Sequence, residues 1–286
     1  AVFAPARLLD ELGVSCGALD QPDQAPGWAL LPATDGRALV LTLGRRGYER
    51  GNALMCLEFE AGGVSAPPLP HLRWAWCDGV RVAGPGPARA GCGPGTEFQP
   101  GPLVCGDDVY VVLREYIQVE PEAGATSTAA DANDPRPLTS AEVRTWLVDL
   151  DLATGALRWR TLIAQGFELQ RGSHRVRPLV TSAASAQPPA EVDGRIFVGT
   201  NTGVCALVDA LDGRVCWALK GRRRDPDLRT WSGARAPTDA ALAGATGSVL
   251  WASPDSDRLY RLRAAPDLDG QGVLLAPPID AGAAEA

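Results

Sequence analysis

Short apolar runs, each opened or stopped by Gly, Asp or Pro, recur along this chain. Gly194-Arg195-Ile196-Phe197-Val198-Gly199-Thr200 is one, and Gly106-Asp107-Asp108-Val109-Tyr110-Val111-Val112 is another. The same order of turn and then β-rich residues returns at Asp35 to Leu41 and, more loosely, at Gly247 to Trp251. Brief runs rich in β-branched and aromatic residues and bounded by turn formers predict β-strands. One stretch differs: in Pro5 to Gly13, Leu8, Leu9 and Leu12 share a helical face, which predicts a short amphipathic helix.

The runs belong to a repeat. Asp151-Leu152-Ala153-Thr154-Gly155-Ala156-Leu157-Arg158-Trp159 aligns without a gap on Asp209-Ala210-Leu211-Asp212-Gly213-Arg214-Val215-Cys216-Trp217. Both read D-x-x-[TD]-G-x-x-x-W. Mechanically this is a hairpin: a strand runs into an Asp that accepts hydrogen bonds from turn amides, Gly takes a positive φ, and the returning strand carries a Trp to bury between neighbouring sheets. Asp151, Gly155, Trp159, Asp209, Gly213 and Trp217 are therefore expected to be structural. With an earlier Pro-Leu-Val at Pro102 to Val104 and at Pro178 to Val180 as first strand, each unit has four strands.

A repeated four-stranded unit of this kind predicts an all-β protein, a β-propeller whose blades begin near Gly36, Gly106, Gly194 and Gly247. The expected blades are 14–77, 78–165, 166–232 and 233–286 within a single segment spanning 1–286, with 118–141 as a long loop insertion rich in Pro, Ala, Ser and Asp. Both outer copies are eroded. Gly62 holds the turn position of the first, but Trp74 and Trp76 come only after Ala66-Pro67-Pro68-Leu69-Pro70, and the last has Arg263 where Asp is expected.

Gly194 to Thr200, then Gly203, then Asp209 to Trp217 resemble the quinoprotein or PQQ-like repeat. The resemblance implies a propeller of four-stranded blades, and four are fewer than complete members of that family usually close with, so an incomplete ring or a segment of a larger bacterial protein is expected. The family includes quinone-dependent alcohol dehydrogenases, a non-catalytic lipoprotein that assists outer-membrane barrel assembly, and propellers attached to signalling domains. This chain resembles the non-catalytic scaffold members more closely, which implies a module that binds a protein or other ligand, with no catalytic residues, no resident cofactor, and a periplasmic or cell-envelope location. The alternatives are a fragment of a dehydrogenase carrying PQQ with calcium, or a sensor propeller.

Candidate chemistry changes this picture little. The adjacent cysteine pair common in the quinone dehydrogenases is absent, and Asp131-Ala132-Asn133-Asp134 and Asp267-Leu268-Asp269-Gly270 each lack the remaining ligands of a calcium loop. Cys16, Cys56, Cys77, Cys92, Cys105, Cys205 and Cys216 are odd in number and contain no C-x-x-C, so neither complete pairing nor a structural zinc site is expected. Cys205 and Cys216 lie on two arms of one hairpin, where a disulfide is conceivable. Arg222, Arg223 and Arg224, answered by Asp225 and Asp227, form a basic run, and Arg175 and Arg177, with Arg171 and His174, form another in the preceding linker. The two together are a candidate partner contact.

A net charge of -7 argues against nucleic acid or an anionic membrane surface as a general partner, and no run of apolar residues is long enough to span a bilayer. The first residues lack the regions of a secretory signal, so a mature form or an excised segment is expected.

Overall fold

Short apolar strands whose central members are buried on both faces form four antiparallel meanders in the computed structural model. It describes residues 33–43, 53–60, 69–77, 79–85, 96–99, 101–119, 139–170, 188–200, 204–220, 240–243, 247–252, 258–264 and 279–280. The first sheet runs in chain order through β1 (Ala33–Thr34), β2 (Ala38–Leu43), β3 (Ala53–Glu60), β4 (Leu69–Cys77) and β5 (Val80–Ala83). The second is built from β6 (Thr96–Phe98), β7 (Leu103–Cys105), β8 (Asp108–Val119), β9 (Thr139–Asp151) and β10 (Leu157–Gln170). Here β6 and β7 lie along the same side of β8, and β10 is outermost.

The third sheet is β11 (Ala190–Val192), β12 (Arg195–Gly199), β13 (Val204–Asp209) and β14 (Val215–Lys220). The fourth is β15 (Ala240–Ala243), β16 (Ser248–Ala252), β17 (Arg258–Arg263) and β18 (Ile279–Asp280). No helix occurs among the described residues. The segment 5–13, expected to be helical, lies outside them.

Innermost strands touch in sequence: β1 meets β7, β7 meets β11, and β11 meets β15. Faces stack in the same order. One buried cluster joins the first and second sheets through Val40, Leu54, Trp74, Val111 and Val148. Another joins the second and third through Val112, Leu147, Ile196 and Val208, and another joins the third and fourth through Leu207, Trp251 and Leu262. Radial meanders packed face to face around shared inner strands are a β-propeller. Among the described residues the innermost strands of the fourth and first sheets do not meet as those of successive blades do, and no closed ring is seen. On the far side of the first sheet, Leu41, Met55, Leu57 and Ala75 make a separate buried cluster.

Three local assignments differ from expectation. The third blade takes its first strand from Ala190–Val192, directly before the turn, instead of from Pro178 to Val180, which lie outside the described residues. A two-residue hairpin demands this: Asp193 and Gly194 both have positive φ, 51° and 72°, the geometry that lets paired strands keep their right-handed twist. The first blade continues through β5 to Ala83, past the boundary expected at 77, because Gly79 at φ 73° turns the chain back along β4. In the second, strand pairing reaches Val119 and resumes from Ser140, inside the stretch expected as loop.

Candidate functional site

The repeat hairpins form as their residue types require. Asp151 Oδ1 accepts from the Thr154 amide and hydroxyl, both at 2.8 Å, and Gly155 turns the chain at φ 66°. Asp209 Oδ1 accepts from the Leu211 amide at 3.0 Å, and Gly213 has φ 74°. These turns receive the preceding blade. Trp74 Nε1 donates to the Leu152 carbonyl at 2.8 Å and Trp76 Nε1 to the Gly155 carbonyl at 2.9 Å. A Cβ on Gly155 would lie 2.6 Å from the Trp74 ring, and one on Gly213 would lie 2.7 Å from that of Trp159. Trp217 Nε1 in turn donates to the Arg263 carbonyl at 3.1 Å.

A single basic side chain organises the acidic end of the second sheet. Arg158 binds Asp108 on β8 and, at 2.7 Å, Asp151 on β9. Burial pushes the Asp151 carboxyl up, but hydrogen bonds from Arg158 and from the Thr154 hydroxyl and amide outweigh it and hold it below the usual carboxylate range. The Asp151 hydrogen bond correspondingly raises Arg158. Because both partners are part-exposed, Arg158→Met is expected to cost only about 1 kcal/mol in urea unfolding, with most of that loss gone once Asp151 is protonated in acid.

Asp149, two residues before the turn, is the strongly perturbed carboxyl in this region. It is 2% exposed, and its Oδ1 has no partner. Burial, then the nearby Asp108 charge, raises it to about 7 against the lowering effect of Arg158. Tyr110, its neighbour across β8, is raised by burial and then by Asp149 and Asp108. Burial likewise pushes the Cys105 thiol up, aided by Glu191 of the third sheet. This grouping escaped the repeat comparison, although the alignment that pairs Asp151 with Asp209 also sets Asp149 against Leu207.

The cysteine expectation meets a register fact. Cys205 stands opposite Leu219, and Cys216 sits in the bulge between the pairs Leu207↔Trp217 and Val208↔Val215. The two thiols are not disulfide-linked. Cross-strand bridging needs opposed Cβ atoms, and the register sets Cys216 three residues along β14 from the position opposite Cys205. Arg175, Arg177, Arg222, Arg223 and Arg224 lie outside the described residues, as do 131–134 and 267–270.

At the opposite end from the Asp turns, the second sheet outgrows its neighbour. Aligned from their turns, β12 ends at Gly199 where β8 has reached Val112, and β8 continues to Val119, roughly 20 Å further. On this extension Trp146 Nε1 donates to Glu115 at 3.1 Å, and the Arg160 guanidinium lies 4.8 Å from the Trp146 ring centre. Leu162, paired with Trp146, is 40% exposed.

No family model matches the chain, and no curated protein matches its sequence. Solved structures similar to it include BamB from Moraxella catarrhalis, 14% identical over 82% of this chain and 45% of that one, with a TM-score of 0.39. A europium-containing methanol dehydrogenase is 13% identical over 90% of this chain and 56% of its own, with a TM-score of 0.27. AztD from Citrobacter koseri is 11% identical over 88% of this chain and 87% of its own, with a TM-score of 0.22. These are β-propellers. The chain spans about half the length of the first two. At such TM-scores the likeness bears on no site, and the propeller assignment stands on the sheets themselves.

Proposed function

We propose that this chain is a non-catalytic binding or scaffold segment of a larger propeller protein, presenting the extended end of its second sheet to a protein partner. The observation that supports this is the three-stranded extension carrying Trp146 and half-exposed Leu162, with the guanidinium of Arg160 from just inside it laid on the Trp146 ring, a combination of aromatic, guanidinium and aliphatic groups of the kind that anchors protein interfaces. The repeat residues, by contrast, are engaged in turning strands and docking blades. A bacterial envelope location belongs to the same proposal and rests on the resemblance of the repeat alone. Fold by itself does not determine activity.

Two measurements test it. Titrating the full chain with PQQ and calcium is expected to leave absorbance without a saturable change, whereas a stoichiometric change would transfer it to the quinone-dependent oxidoreductases. A photoactivatable residue in place of Leu162 is expected to capture one defined protein in the source cell. The same probe at Leu211, 90% exposed on an Asp turn at the other end of its blade, serves as control. Equal capture at both positions, or loss at neither when Trp146 and Arg160 are replaced by Ala, would contradict the proposed surface.

A further inference from the structure

The seam between the second and third sheets is built differently from that between the third and fourth. In the third sheet one row across the strands reads Phe197, Leu207, Trp217, and it packs toward the fourth sheet with its rings 6.2 Å apart. The equivalent row of the second sheet reads Tyr110, Asp149, Trp159, packed toward the third with its rings 5.8 Å apart. Two apolar positions have become a phenol and a carboxyl inside a seam otherwise closed by Ile196, Val198, Ala206 and Val208.

The exchange alters the hydrogen bonding. Trp74 donates to the Leu152 carbonyl, and the repeat places Ala210 where Leu152 stands. At Ala210 it is the Tyr110 hydroxyl that lies 3.3 Å from the carbonyl, while Trp159 Nε1 is buried without a partner. Asp149 Oδ1 is left unpartnered beside it, and strand register places unpartnered Gln99 Oε1, Arg114 Nε and Thr145 Oγ1 on the same face. Three of the eight buried unpartnered side-chain atoms among the described residues therefore belong to this one seam, with Arg114 Nε and Thr145 Oγ1 further along the same face. An ionised carboxylate without full hydrogen bonding is far more costly in such a place than a neutral acid.

We propose that Asp149 is a proton-operated lock on the seam between the second and third blades, closing it when the carboxyl is neutral and loosening it when the carboxyl ionises. The surrounding charges favour this direction. From the second sheet Asp108 on β8 and Asp151 on β9 oppose ionisation, Arg158 on β10 acts against them, and Arg114 stands further along the same face of β8. Cys105 on β7 and Tyr110 on β8 are neutral, both raised first by burial. Across the seam, Glu191 on β11 adds negative charge near Cys105, and the facing side chains of β12 and β13 are apolar.

The sign follows from linkage. Asp149 is raised from 3.8 to about 7, so between those values the folded chain holds a proton that the unfolded chain has released. Its contribution is fully present below the unfolded value and is lost as pH rises toward about 7. The test compares urea unfolding of the full chain, Asp149→Asn and Asp149→Leu from pH 5 to 8, with hydrogen exchange corrected for intrinsic rate. The expected wild-type result is a fall in the folding equilibrium constant on the order of a hundredfold across that range, absent from both variants. Exchange should accelerate at β8, β9, β12 and β13 while β2, β3 and β4 of the first sheet hold. Retention of the same pH dependence in both variants, its absence from the wild type, or acceleration spread evenly over all four sheets would overturn the lock.

Discussion

Gly155→Ala is expected to destabilise the protein by about 3 kcal/mol or more in urea unfolding, while Gly106→Ala costs about 1 kcal/mol. The two glycines have nearly the same backbone, φ 66° and 61°, so the intrinsic strain of a side chain in the left-handed region is common to both. Their surroundings differ. A Cβ at Gly106 meets nothing within 4 Å, but at Gly155 it lies 2.6 to 3.0 Å from three atoms of the Trp74 ring. Trp74 is itself completely buried and tied through Nε1 to the Leu152 carbonyl, so it has nowhere to retreat without opening the first seam. The excess of Gly155→Ala over Gly106→Ala therefore measures the blade contact. Equal costs would mean that the ring does not sit on the turn.

The second large effect is expected at Trp76, where replacement by Ala should cost about 4 kcal/mol. Its ring is 1% exposed, meets Phe98 edge to face at 6.1 Å, and gives its N–H to the Gly155 carbonyl. Removing it leaves a cavity between two sheets that are each anchored elsewhere and cannot collapse to fill it. Trp76→Phe retains most of the apolar contact but strips the donor from a buried carbonyl, for an expected loss of about 1 to 2 kcal/mol. Thermal unfolding followed by near-ultraviolet dichroism ranks the two. A Trp76→Phe loss as large as that of Trp76→Ala would show that the hydrogen bond, not the filled volume, holds this seam.

Much of the blade plan was legible because the repeat states its own mechanics. Asp151 to Trp159 and Asp209 to Trp217 each specify a turn, a positive φ and a bulky inward ring, and all three are local consequences of residue type. Trp74 was harder to place. A long Pro-containing stretch separates it from Gly62, so spacing hid the role that its contact with Gly155 discloses. The first strand of the third blade was missed for a related reason: Pro178 to Val180 copied the composition of Pro102 to Val104, but pairing in a two-residue hairpin reaches only the residues beside the turn, Ala190 to Val192.

Asp149 was present in the alignment but carried no local signal. Alternation along β9 predicts an inward side chain there, and an acidic residue at an inward position becomes informative only when the facing sheet is known to bury it. Register irregularity was similarly silent. The register that sets Cys205 against Leu219 and away from Cys216, like the bulge at Cys216, depends on where β13 and β14 meet and is not written in either strand alone.

The central claim is that the first blade is fastened to the second, and the second to the third, by a Trp seated on the turn glycine of its neighbour. A double-mutant cycle of Gly155→Ala with Trp74→Leu tests it most directly, by urea unfolding of both single variants and the pair. Once the ring is gone, the added Cβ has nothing to strike, so the account predicts that Gly155→Ala costs no more in the Trp74→Leu background than Gly106→Ala does in the wild type. Strictly additive losses would contradict it.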